Sequence, residues 1–145
     1  MARAHWVEVD ADFTAPPERV FDHLSEHENL AAVFGAKITR LADGTDGHRN
    51  GVGSRRRLVV GPGVPPFEET VTAFEPYSLI EYRITEGSPM KDHVGIMRFS
   101  PNPDGGTHLN YRIRLQSSIP GLALIVKTQL TGSVTKGMKA VDAAA

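Results

Sequence analysis

Residues 53–86 read GSRRRLVVGPGVPPFEETVTAFEPYSLIEYRITE, and this stretch decides the fold. Apolar and polar residues alternate along it, the period of a strand with one face buried. Glycine- and proline-containing breaks at Gly61-Pro62-Gly63-Val64 and Glu75-Pro76-Tyr77-Ser78 divide it into strands near 53–60, 66–74 and 78–86. Centring the first hairpin on its break sets Val60 opposite Pro65, Leu58 opposite Phe67 and Arg56 opposite Glu69. Centring the second sets Ala73 opposite Ile80, Val71 opposite Tyr82 and Glu69 opposite Ile84. One sheet face then carries Leu58, Val71, Tyr82 and Ile84, with Arg56 and Glu69 among them. Arg55 and Arg57 fall on the other, solvated face, so the Arg-Arg-Arg run is strand alternation rather than a basic patch.

The pattern continues outward in both directions. His5 to Phe13 alternates, with Val7, Val9, Ala11 and Phe13 on one side and Trp6 the one large apolar residue on the other. Ala15-Pro16-Pro17-Glu18 stops that strand and starts a short helix with Val20, Phe21 and Leu24 as its apolar stripe. A second short helix, Glu28 to Phe34, buries Leu30, Val33 and Phe34 and ends at Gly35. Further strands follow near 37–42, 92–100 and 106–116. A loop from Pro101 to Gly106 sets Met97 opposite Leu109, Gly95 opposite Tyr111 and His93 opposite Ile113. After Pro120-Gly121, residues Leu122 to Val141 have helical spacing, with Leu122, Val126, Leu130, Val134, Met138 and Val141 in one stripe. Leu124 to Leu130 reads as that helix's buried face rather than a membrane-active segment. The whole chain, 1–145, is expected to be a single α+β domain: strand, two short helices, a six-strand antiparallel meander and a long helix.

Composition narrows the function classes. Sixteen Lys and Arg against seventeen Asp and Glu leave a net charge of −1, which argues against a dedicated nucleic-acid binder. The absence of cysteine excludes disulfides, zinc–thiolate sites, iron–sulfur clusters and a cysteine nucleophile. No apolar run has the length of a membrane span or a secretion signal, so a cytoplasmic location without membrane insertion is expected.

The segments VDADFTAPPERVFDHLSEHENL, NGVGSRRRL with FEETVTAFEPYSLIEYRI, and HVGIMRFSPNPDGGTHLNYRIRLQSSIPGLALIV resemble the START-related, polyketide cyclase/dehydratase-like superfamily (SRPBCC proteins) over nearly the whole chain. Its polar marks here are Arg56 in GVGSRR and Glu69 in EETV. The resemblance implies a helix-grip fold, in which a curved seven-stranded antiparallel sheet wraps the long C-terminal helix around an apolar cavity. Members bind lipids, sterols, hormones or polyketides, and some cyclise or dehydrate them.

A curved sheet and one helix leave space between them for large side chains or for a ligand. Small residues at Ala73, Gly95, Gly132 and Gly137 favour a pocket, although glycines also serve close helix–sheet approach. The expected ligand-binding residues are Val9, Phe34, Arg56, Leu58, Glu69, Val71, Tyr82, His93, Met97, Tyr111 and Leu130. Arg56 and Glu69 form either a structural cross-strand ion pair or a ligand anchor with acid–base capacity. Tyr82, His93 and Tyr111 combine packing surface with one polar tip each, and His93 can also move protons near neutral pH. The candidate catalytic residues are Arg56, Glu69, Tyr82 and His93.

His23-Leu24-Ser25-Glu26-His27 matches an H-x-x-E-H zinc pattern, but its middle falls at a helix break, so no metal is expected. No cofactor is expected either, and oligomeric state is not legible. The leading reading is a carrier or sensor of a small hydrophobic molecule. The alternatives are a polyketide cyclase/aromatase or dehydratase using the same cavity, and a protein-interaction module built on a sheet edge.

Overall fold

The computed structural model describes residues 3–61 and 64–144. Strand β1 (His5–Phe13) leads into α1 (Pro17–Ser25), a single 3-10 turn (His27–Asn29) and α2 (Leu30–Phe34). Strands β2 (Lys37–Ala42), β3 (Arg55–Val59), β4 (Phe67–Glu75), β5 (Leu79–Glu86), β6 (Val94–Pro101) and β7 (Thr107–Leu115) follow, then α3 (Leu122–Ala144). The strands form one antiparallel sheet in the order β1-β7-β6-β5-β4-β3-β2, so the first strand closes onto the last. The sheet is curved, and bulges at Arg40/Ala42, Glu68/Glu69 and Val71/Ala73 bend its strands. Helix α3 packs along β1 and against α2. This is the helix-grip order of elements that the resemblance implies. Among the described residues no helix is long and apolar enough to cross a membrane.

Proline starts α1, where a missing N–H is harmless, and the Pro16 carbonyl accepts from Arg19 and Val20. Extended backbone at Glu26 stops α1, and the expected second helix from Glu28 is instead the 3-10 turn plus the one-and-a-half turns of α2. Gly35 ends α2 at φ +64°, a left-handed conformation suited to glycine. At the other end of the grip, Thr14 N–H, Thr14 Oγ1 and Ala15 N–H all donate to the Asp142 carboxylate, at 2.9, 3.0 and 3.3 Å. That contact ties the end of α3 to the end of β1.

The central register follows the expectation: Arg56 faces Glu69, Leu58 faces Phe67, Glu69 faces Ile84 and Val71 faces Tyr82. Strand β3 is shorter than expected, and its ladder with β4 stops at Leu58 and Phe67. The expected Val60–Pro65 pair would extend beyond that ladder, and residues 62 and 63 of its turn lie outside the described residues. Ala73 faces Glu81, not Ile80, because the bulge after Val71 inserts one residue and reverses the alternation. Phe74 takes the inward position opposite Ile80 and packs edge-on against Phe21, ring centroids 5.2 Å apart.

In the last hairpin the register moves by two residues. Met97 faces Tyr111, Gly95 faces Ile113 and Phe99 faces Leu109. The β6–β7 ladder begins at Val94, so His93 has no partner in it. An even shift preserves which side chains point inward and changes only their neighbours.

Two expectations for the glycines are corrected. A Cβ on Gly132 meets nothing within 4 Å, and the residue is exposed, so it makes no room inside. Gly137 is a contact glycine: a Cβ there would lie 2.7 Å from Val33 Cα, so it lets α3 approach α2. Leu124 and Ile125 are also exposed, contrary to the expected burial of the 124–130 face.

Candidate functional site

Four strands and one turn bring polar groups together on the inner face. Arg56 on β3 and Glu69 on β4 are only 2% and 4% exposed. Arg56 Nε donates to Glu69 Oε1 at 2.9 Å, and Nη2 lies 2.8 Å from the same oxygen. The second contact is an ion pair that lacks hydrogen-bond alignment, so the buried Nη2 makes no aligned hydrogen bond. The guanidinium carbon sits 4.7 Å from the centroid of the Tyr82 ring, a cation–π contact that also fixes the group's plane.

His93, just before β6, closes the cluster from the other side. Its Nδ1 accepts the Ile84 backbone N–H at 3.0 Å. The neutral ring therefore carries its proton on Nε2, 4.0 Å from Glu69 Oε2. Burial lowers the His93 pKa, with Arg56 adding to the effect and Glu69 opposing it. At neutral pH the contact with Glu69 is thus dipolar rather than an ion pair. The Tyr82 and Tyr111 hydroxyls hydrogen-bond each other, and burial pushes both phenols well above their ordinary pKa. Both remain protonated, able to donate but not to act as bases. Gly95 makes the Tyr82 position possible, since a Cβ there would lie 2.1 Å from Tyr82 Cζ. The room expected at Gly95 is occupied by that ring.

Two further residues join this region that the sequence reading did not select. His27 in the 3-10 turn is 1% exposed, and its Nε2 is 3.1 Å from Ser54 Oγ while its Nδ1 has no partner. Burial, with a contribution from Arg56, drives its pKa down to about 3. Ser54 was within reach of the alternation, two residues before Arg56 and four before Leu58. His27 carried no such signal, because it follows the helix break. Above it, Glu26, Glu28, Arg40, Arg49 and Asn50 form a half-exposed network. Its contacts include Arg40 Nη2 to Glu26 Oε1 at 3.0 Å and Arg49 Nη2 to the same oxygen at 2.6 Å. This network pins the turn to the loop before β3.

Val9, Leu58, Val71 and Met97 are buried, while Phe34 and Leu130 are partly buried against the core. Phe34 meets Tyr82 edge-on, centroids 6.5 Å apart. The two described concavities lie elsewhere. One, of about 320 Å³, runs between α2 and α3 past Val33, Gly137 and Val141. The other, of about 480 Å³, lies beside the start of α3, between Arg3, His5, Ile119 and Leu124. Neither is bordered by the residues expected to line a pocket. His23 and His27 do not share a helix face, since α1 ends at Ser25. Among the described residues no group of three potential ligands could hold a metal.

Among solved structures, the chain is similar to a protein from Thermus thermophilus, at 22% identity and a TM-score of 0.75 over 97% of this chain and 98% of that one. A protein from Nitrosospira multiformis matches at 19% identity, TM-score 0.69, over 94% of each chain. The protein Ara h 8.0201 matches at 15% identity, TM-score 0.66, over 99% of this chain and all of that one. At these identities the likeness is one of fold. No curated protein sequence matches the chain significantly. The family model described as polyketide cyclase / dehydrase and lipid transport, in contrast, matches residues 4–145. A match of that extent settles the family, and this chain is a member of the polyketide cyclase / dehydrase and lipid transport family.

Proposed function

We propose that the protein binds a small, mostly apolar molecule carrying one oxygen acceptor, such as a carboxylate or ketone, between the sheet and α3. The observation that carries this reading is Arg56 Nη2, a charged donor buried in the interior whose contact with Glu69 Oε1 lacks hydrogen-bond alignment. Buried donors nearly always make an aligned hydrogen bond, so one held only by a misaligned ion pair has an N–H to offer a ligand oxygen. Tyr82 and Tyr111 add protonated hydroxyls beside it, and Val9, Val71 and Met97 supply apolar wall. The family's description, which includes lipid transport, agrees with such a ligand.

A catalytic reading has its own observation in the protonated His93 Nε2 beside Glu69. Glu69 would take a proton from carbon next to a ketone while Arg56 and a phenol hold the enolate oxygen. The protonated Glu69 would then return that proton to a departing hydroxyl, releasing water, while the His93 Nε2–H donates a hydrogen bond to the leaving oxygen.

The test is native mass spectrometry of the purified chain for a retained small molecule, followed by titration with the fluorescent fatty acid cis-parinaric acid. Saturable binding is expected, weakened more than about tenfold in an Arg56→Met/Glu69→Leu double variant that remains folded. The absence of both a retained mass and saturable binding would overturn the reading, as would a double variant that binds like the parent. Turnover of a bound polyketone, lost in His93→Phe with binding intact, would favour the catalytic version.

A further inference from the structure

Ile119, Leu124 and Ile125, at 50%, 52% and 57% exposure, are the most exposed large apolar residues among those described. They cluster in sequence at the amino-terminal end of α3, and Ile119 and Leu124 border the same concavity as Arg3. The next exposed residue on this face, Thr128, turns its hydroxyl back to the Leu124 carbonyl at 3.1 Å. From Leu115 to Val141 the chain has three lysines, Lys127, Lys136 and Lys139, and no acidic residue. A chain of net charge −1 has therefore gathered positive charge on this helix, while exposed Glu8, Asp10 and Asp12 make the outer face of β1 acidic.

We propose that this end of α3 is a docking surface for an anionic lipid bilayer, with Leu124 and Ile125 entering the interface and Lys127 and Arg3 meeting the headgroups. Exposed apolar side chains with Arg3 beside their concavity and Lys127 one turn along the helix suit a surface that is negative outside and apolar beneath. The positive pole of the helix dipole lies at the same end and acts in the same direction. A second copy fits less well. A two-fold pairing would bring two copies of Lys127 and Arg3 into one interface where residues 115–141 supply no acidic partner, and three apolar side chains fall short of the roughly 800 Å² per partner of a stable interface. The inference is independent of the interior ligand site.

The experiment is co-sedimentation of the full chain with phosphatidylcholine vesicles, with or without about 30% phosphatidylserine, at low and at physiological salt. Binding is expected with phosphatidylserine, weak without it and reduced by salt. Leu124→Ser/Ile125→Ser should lower it more than about tenfold, and Lys127→Glu should lower it at unchanged melting temperature. Because Leu124 and Ile125 are exposed, the double variant should melt with the parent. Failure to sediment with phosphatidylserine vesicles would overturn the proposal, as would equal sedimentation of the double variant. A concentration-dependent dimer abolished by the same double variant would also overturn it, assigning the surface to a second copy.

Discussion

Arg56 and Glu69 face each other across two strands in near-complete isolation from water, so each is the other's main compensation. Removing one leaves a buried charge, and Arg56→Met or Glu69→Leu alone should cost about 3–5 kcal/mol. The double replacement should cost far less, since no charge is stranded. Urea unfolding of the three variants checks this, and single losses below about 0.5 kcal/mol would mean the pair is solvated. His27 gives a second prediction at this scale. Its folded pKa of about 3 lies below the ordinary 6.5, so only the unfolded chain takes up a proton between those values. Stability must therefore fall as pH drops through that window, by up to about 2 kcal/mol from pH 7 to pH 5. His93 is shifted in the same direction. Exposed His108, raised by its hydrogen bond to Asp12, has the opposite sign and is weakened by solvent screening. Unfolding at pH 7 and pH 5 should show a smaller loss in His27→Gln than in the parent; equal slopes would refute the assignment.

At the scale of elements, alternation made the faces legible but not always the partners. Arg56, Glu69, Val71, Tyr82, His93 and Tyr111 were all readable as inward. Yet Met97 meets Tyr111 rather than Leu109, because a two-residue slip leaves every facing unchanged. The bulge after Val71 was not legible, since nothing in Thr72-Ala73 announces an extra residue. The glycines of α3 look alike in sequence and differ only in what stands opposite, which yields a matched pair of predictions. Gly132→Ala, meeting open space, should stabilise by about 0.8–1 kcal/mol through helix propensity. Gly137→Ala places its methyl 2.7 Å from the Val33 backbone and should destabilise by about 1–3 kcal/mol as α3 is pushed from α2. Thermal melts of the two variants should move in opposite directions. A shift in the same direction would mean that α2 is free to yield.

For the whole molecule, the interior cluster lies beneath side chains, so a ligand needs one element to move. The sheet is a poor candidate: β1 and β7 pair over nine positions, β6 and β7 over eight, and their inward residues form the core. The segment from His27 to Phe34 is the better one. It consists of a 3-10 turn and five residues of helix, it holds Phe34 over Tyr82, and its outward ties are the partly exposed contacts of Glu28, and of Glu26 just before it, with Arg40 and Arg49. Short helices with few internal hydrogen bonds open at low free energy. Amide exchange from His27 to Phe34 should therefore outpace that in β6 and β7 by at least about tenfold, and should slow when the interior ligand binds. Arg40→Gln, which loosens the surface network without touching the cluster, should speed both this exchange and ligand association while leaving the sheet's protection unchanged. If protection is uniform along the chain, or if ligand slows exchange in the β6–β7 hairpin instead, the route into the site does not pass beneath α2.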